Sequence, residues 1–187
     1  MNLYLDTSNE DFALAIFDSN YQLIDKIVLE NYPKKVELID KYIRSFLDKY
    51  NYKIDEFSNF FLNIGPGYFT GVRISLVYLR TIALLKNINL RTTSIFEILL
   101  LQNPFENDFY VNASGNKNYF YHRKNYFDIK DVEVRINDKK TNFKKIDFDK
   151  FFNNFSFYLS VFKYHTNLLE IDPYYIKMPQ IGQRKDK

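Results

Sequence analysis

Residues 59–64, Asn-Phe-Phe-Leu-Asn-Ile, form a compact apolar run that ends in Gly65-Pro66-Gly67-Tyr68-Phe69-Thr70-Gly71. Helical periodicity then runs from Thr70 to Lys86. The chain holds five glycines in 187 residues, and three of them fall in this one turn. A strand that enters a glycine-rich turn and opens a helix is the generic layout of a phosphate-binding loop, because the free N–H groups at a helix start favour anions. The common versions do not fit. A Walker A loop needs four residues between its glycines and then Lys-Ser/Thr; here five residues separate Gly65 from Gly71, and Val72-Arg73 follows. A dinucleotide fingerprint needs GxGxxG and an acid about 20 residues on, yet Gly71 comes one residue late and no Asp or Glu occurs between Glu56 and Glu97. A nucleophile elbow needs GxSxG, which Gly67 to Gly71 does not supply. The alternative is a tight turn with a helix start capped by Thr70, in which Gly71 allows close packing.

Around this turn the chain reads as β-β-β-α-β-α-β-α followed by a smaller α+β part. Residues 2–6, 12–17 and 21–29 read as three strands of an antiparallel meander. Pro33 is placed to begin a helix, and Val36, Ile39, Ile43, Phe46, Leu47 and Tyr50 give it one apolar stripe that Leu38 and Tyr42 widen. Leu90 to Thr92 reads as a short strand, and Ser94 with Glu97 as the capping box of a third helix. Asn103-Pro104 is a boundary signal. The expected division is therefore a lobe at 1–104, a reduced lobe at 105–171 and a tail at 172–187, frayed from Gln180 on. In the second lobe, residues 109–113 and 119–123 read as a hairpin around Gly115.

Composition excludes several classes. With no cysteine there is no disulfide, thiolate metal site or thiol nucleophile. No apolar run reaches about 18 residues, so no membrane helix is expected. The N-terminus lacks a basic segment ahead of its apolar residues, so no signal peptide is expected and the protein is assigned to the cytoplasm. The two histidines, His122 and His165, lie far apart and do not form a metal pair. The net charge is +3, and residues 117–163 hold eleven basic against six acidic residues. That excess, with the interleaved aromatics, is compatible with a nucleic-acid surface or with a solvated lobe in a chain rich in A/T-coded residues.

Residues 63–75, Asn-Ile-Gly-Pro-Gly-Tyr-Phe-Thr-Gly-Val-Arg-Ile-Ser, resemble the G-P-G-S-F-T-G-[LV]-R-I-G signature of the TsaB family, also called YeaZ. Leu5-Asp6-Thr7-Ser8 is similar to that family's opening I-D-T-S/A, and Pro173-Tyr-Tyr-Ile-Lys177 to its closing P-x-Y-L-R. The helix around Leu38 takes the place of its L-L-P-x-I helix. Tyr68 stands where the family has Ser, Ser75 where it has Gly, and Asn112-Ala-Ser114 where it often has Asp-Ala-Arg. The chain is some tens of residues shorter than typical members, a difference expected to fall after about residue 105.

The resemblance implies an α/β, actin-like ATPase (ASKHA, ribonuclease-H-like) fold with a shortened second lobe. It implies a non-catalytic subunit in the synthesis of N6-threonylcarbamoyladenosine (t6A) on tRNA. The partner is a TsaD-like subunit that transfers the threonylcarbamoyl group and carries the metal; a TsaE-like ATPase joins the pair. Alone, the chain is expected to form a homodimer, and to meet tRNA only through the assembly. No catalytic residue, cofactor or metal is assigned to this chain. Two helices form the family's TsaB–TsaD contact, which puts Tyr42, Phe46, Phe69, Arg73, Val77 and Tyr78 at the partner interface, with Gly65, Pro66, Gly67, Thr70 and Gly71 as the signature loop. The alternatives are a stand-alone ATPase of the same fold, a glycoprotease-like peptidase, and an oligomeric module with no tRNA role.

Overall fold

A computed structural model describes residues 1–138 and 141–176. The first three strands, β1 (Asn2–Asp6), β2 (Phe12–Phe17) and β3 (Leu23–Leu29), form the expected antiparallel meander. β3 starts later than its sequence suggests, because Asp18 turns the chain: its side chain accepts the N–H groups of Asn20 and Gln22, and Tyr21 takes a left-handed backbone at φ 61°. Helix α1 (Lys35–Tyr50) leads to β4 (Asn59–Asn63), and α2 (Phe69–Lys86) to β5 (Asn89–Thr93). β4 pairs with β1 and β5 in parallel, which gives the order β3-β2-β1-β4-β5. Both helices end on asparagine in left-handed backbone, Asn51 and Asn87, a position that glycine usually takes.

Both faces of this sheet are covered, so β1, β2 and β4 are buried along their whole length. Leu3 and Leu5 point to one face and pack with Ile39, Ile43 and Phe46 of α1 and Leu76 and Leu79 of α2. Tyr4 points to the other, toward α3 (Ile95–Gln102) and α4 (Phe148–Asn153). There Phe151, Phe155 and Phe162 meet the Tyr4 ring edge-on at centroid distances of 4.9, 6.1 and 6.2 Å. Ser94 and Glu97 form the predicted capping box, Ser94 Oγ accepting the Phe96 N–H and Glu97 the Ser94 N–H.

A second, three-stranded sheet holds β6 (Asp108–Asn112), β7 (Lys117–His122) and β8 (Glu133–Ile136), all antiparallel. The predicted hairpin is β6–β7, turning through left-handed Ser114 and Gly115. After α4 the chain returns to the larger sheet, where β9 (Lys163–Tyr164) pairs antiparallel with β5. Phe109, Val111, Tyr119 and Tyr121 of the small sheet share one buried cluster with Tyr4, Phe17 and Phe61 of the large one. The core therefore runs across residue 104 without a break.

Two local expectations change. Helix α1 starts at Lys35 with Lys34 as its cap, so Pro33 precedes the helix rather than opening it. Its first turn buries Lys35 and exposes Val36, the reverse of the apolar stripe. The closing motif is seen only to Ile176; Lys177 and the tail through Gln180 to Lys187 lie outside the described residues.

Candidate functional site

The parallel strands β1, β4 and β5 end at Asp6, Asn63 and Thr93. In open α/β sheets the crevice beyond these ends is where ligands bind. Here the chain itself fills it. Asp6 is buried, and its carboxylate accepts the Ser8 N–H at 2.8 Å, the Asn63 amide at 2.8 Å and the Tyr4 hydroxyl at 3.1 Å. Burial pushes the Asp6 carboxyl up, against the opposing pull of its hydrogen bonds from Ser8, Asn63 and Tyr4. Asn63 continues the network: its amide also donates to Ser8 Oγ at 3.1 Å, and its carbonyl accepts the Gly65 N–H at 3.0 Å.

The glycine turn packs directly on the β1–β2 turn. Tyr68 N–H donates to Ser8 O at 2.6 Å, and Thr7 Oγ1 donates to Gly71 O at 2.8 Å. A Cβ on Gly67 would sit 2.1 Å from Ser8 O, and one on Gly71 would sit 2.0 Å from Thr7 O. Gly65 has φ +97°, open to glycine and rarely to other residues. Gly67 and Gly71 thus serve backbone-to-backbone contact with Ser8 and Thr7. Thr70 is not the cap: α2 opens at Phe69, the capping position is Tyr68 with no side-chain cap, and Thr70 is exposed in the first turn. Ser75, in place of the signature glycine, is buried and donates to Gly71 O at 3.1 Å within its own helix.

Glu10, to which the sequence gives no signal, joins the two sheets. Its Oε1 accepts the Asn112 amide at 2.6 Å and the Tyr68 hydroxyl at 3.3 Å, and its Oε2 lies 3.7 Å from Lys145 Nζ. Burial, then the Glu10 charge, pushes the Tyr68 phenol up to about 12. Between Asp6, Asn9, Glu10, Asn112 and Phe148 remains a cavity of about 20 Å³. That is room for about one water, against the roughly 300 Å³ or more of a ligand pocket. Lys35 lies under the same turn, its Nζ 3.5 Å from Thr7 O and 5.4 Å from the Tyr68 ring centroid. Burial lowers its ammonium's affinity for the proton, against the attraction of Asp6, Asp11 and Glu10.

The second surface is α2. The sheet covers one side of it and α1 a second, where Tyr78 Oη donates to Asp40 at 3.1 Å. The segment Ile171–Tyr175 covers a third, held by Arg80 donating to Ile171 O at 3.1 Å and by Tyr174 N–H donating to Ile64 O at 3.0 Å. The remaining stripe, Thr70, Arg73, Val77, Thr81 and Leu84, is exposed at helical spacing. Its apolar members are open to solvent: Val77 is 46% exposed, Leu84 50%, and the neighbouring Leu85 78%. Of the residues expected at a partner interface, Phe69, Arg73 and Val77 lie on this face. Tyr42 and Tyr78 are half-buried and engaged within the chain, Tyr42 against Phe12 and Tyr78 with Asp40. Phe46 is a correction: at 4% exposure it belongs to the core and supports α1 from beneath. Leu84 and Leu85 were missed because periodicity marks a residue as apolar without telling which apolar position stays uncovered.

Among the described residues no group of three or more His, Asp or Glu side chains is placed to hold a metal ion. His122 pairs with Asp108 at 2.7 Å, and His165 with Thr92 at 2.7 Å, on different sheets. No helix among them is long and apolar enough to cross a membrane.

No family model and no curated protein matches the sequence. Solved structures do match the fold. YeaZ from Pseudomonas aeruginosa superposes with a TM-score of 0.55 at 19% identity, over 72% of this chain and 63% of that one. A second structure is of an uncharacterized protein with similarity to peptidase YEAZ from Pseudomonas aeruginosa, with a TM-score of 0.52 at 18% identity, over 72% of this chain and 62% of that one. The match thus spans less than two thirds of either structure's length. At this identity the likeness establishes the fold, a mixed α/β arrangement with a central sheet flanked by helices.

Proposed function

We propose that this chain is a TsaB-like, non-catalytic subunit with an actin-like (ASKHA, ribonuclease-H-like) fold. It docks through the α1–α2 side onto a TsaD-like threonylcarbamoyltransferase, and the pair makes t6A on tRNA with a TsaE-like ATPase. Alone, it self-associates through the same side, and it meets tRNA only within the assembly in the cytoplasm. The observation that carries the reading is the uncovered face of α2, where Val77, Leu84 and the neighbouring Leu85 stand in solvent among Thr70, Arg73 and Thr81. A helix with three sides packed and large aliphatic side chains exposed on the fourth favours a protein partner. The filled strand-end crevice supports a subunit that works by contact, and the strand order β3-β2-β1-β4-β5 supports the actin-like assignment.

The test is reconstitution of t6A formation on tRNA from the same organism's TsaD-like and TsaE-like proteins and a threonylcarbamoyl-adenylate donor. Omission of this chain is expected to abolish product, and adding it back to restore product. Full activity without it would sink the proposal.

A further inference from the structure

The segment Ile171–Tyr175 does not lie flush on α2. Between them runs a groove of about 290 Å³. Phe69, Arg73, Val77 and Arg80 of the helix line one wall, and Pro173 and Tyr175 the other. The Phe69 and Tyr175 rings meet at 5.1 Å, tilted by 35°, and the Arg73 guanidinium carbon lies 5.9 Å from the Phe69 ring centroid. Arg80 spends one N–H on the Ile171 carbonyl. Among the described residues neither guanidinium enters an ion pair, although Asp172 also borders the groove. Helix α2 has no acidic residue of its own. The groove is therefore a cleft with aromatic edges and two cations, unpaired and set against one carboxylate, Asp172, and a planar guanidinium held against a ring binds carboxylates by a two-pronged hydrogen bond.

Geometry links the groove to the exposed stripe. Phe69 and Val77 border both, so a partner that covers Val77 also closes the groove mouth over Arg73. A guanidinium closed off from water without a paired anion costs far more than the apolar contact returns. With two guanidiniums and one carboxylate at the groove, a covering surface that brings one more negative charge balances it. We infer that the groove receives an Asp or Glu side chain, flanked by an apolar residue, from the TsaD-like subunit. The inference rests on the docking role proposed above. It adds what the apolar stripe lacks: contacts of Val77, Leu84 and Leu85 tolerate sliding along the helix, whereas one carboxylate seated on Arg73 fixes the register.

The experiment titrates the same organism's TsaD-like protein with the full chain as wild type, Arg73→Gln, Arg73→Lys and Val77→Glu, at low and high salt. Arg73 is exposed and donates no hydrogen bond within the described residues, so its variants should melt with the wild type. The expected result is an affinity loss of about tenfold or more for Arg73→Gln at low salt, with a flatter salt dependence, and partial recovery in Arg73→Lys. If wild type binds, Val77→Glu fails to bind and Arg73→Gln matches wild type at both salt concentrations, the docking role stands and the carboxylate assignment falls. If wild type does not bind at all, both fall. A parallel titration of the isolated chain with inorganic phosphate and with ATP covers the remaining source of an anion. Saturable binding that Arg73→Gln abolishes makes the groove a small-anion site and overturns the inference.

Discussion

Tyr68 and Asn112 donate to the same atom, Oε1 of Glu10, at 3.3 and 2.6 Å. Tyr68 belongs to the glycine turn and Asn112 to the small sheet, so one carboxylate on the β1–β2 turn ties both to the large sheet. Both are among the four positions named above, 68, 75, 112 and 114, at which the chain differs from the family pattern it resembles, Tyr for Ser and Asn for Asp. An aspartate at 112 would repel Glu10, and a serine at 68 would be too short to reach it. The departures therefore belong together.

The pair should behave as one unit. Tyr68→Phe and Asn112→Ala are each expected to cost about 1 kcal/mol in urea unfolding. The double variant is expected to cost less than their sum by about 0.5 kcal/mol or more, since the second change acts on a network already cut. Strict additivity would show that the two donors act independently.

Gly71 separates packing from ligand binding. Its missing Cβ would meet Thr7 O at 2.0 Å, and that oxygen belongs to buried backbone that cannot swing aside. Gly71→Ala is expected to cost about 3 kcal/mol. Gly115→Ala is the control: nothing lies near its Cβ position, only its φ of +67° is strained, and the cost is expected to be about 1 kcal/mol. A Gly71→Ala variant with unchanged stability and lost ATP binding would instead make the turn a phosphate cradle.

Lys35 gives a pH signature. Burial lowers its pKa in the folded chain below the ordinary 10.5. Between that lowered value and 10.5 the unfolded chain binds more protons than the folded one, so stability rises with pH there. Below that window the full cost of the buried ammonium is present. Lys35→Met lacks the titration, so the variant is expected to be as stable as wild type or more so at pH 7, and the wild type should gain on it as pH climbs toward 10.5. Urea midpoints of the two proteins across this range decide it. Midpoints that keep a constant separation would mean Lys35 is solvated.

Local chemistry made much of this fold legible. Ser94 and Glu97 signal a capping box by spacing alone. The meander follows from short apolar runs between polar turns, and the βα unit from the run that ends in Gly65. Asp6 accepts the N–H of Ser8 two residues on, the local turn that an aspartate at a strand end favours. What escaped depends on contacts far apart in sequence. Glu10 meets Asn112 across 102 residues, and no local pattern marks it. Thr70 looks like a helix cap until the Ser8 carbonyl fixes Tyr68 N–H two residues earlier. The aromatics at 151–162 carry no clean period, since they fold as a short helix and a 3-10 segment that wrap Tyr4 rather than as one amphipathic face. Lys35 is buried under the turn after β1, which lies 28 residues away in sequence.

The central claim is that the exposed stripe of α2 is a docking surface, and a single substitution addresses it. Val77 is 46% exposed and lies mid-helix, so Val77→Glu is expected to change stability by no more than about 0.5 kcal/mol. The measurement is calorimetric titration of the TsaD-like protein from the same organism with wild type and with Val77→Glu. The account predicts saturable binding by the wild type and none by the folded variant, with light scattering showing the loss of self-association in the same variant. Wild-type affinity retained by a folded Val77→Glu chain would contradict it.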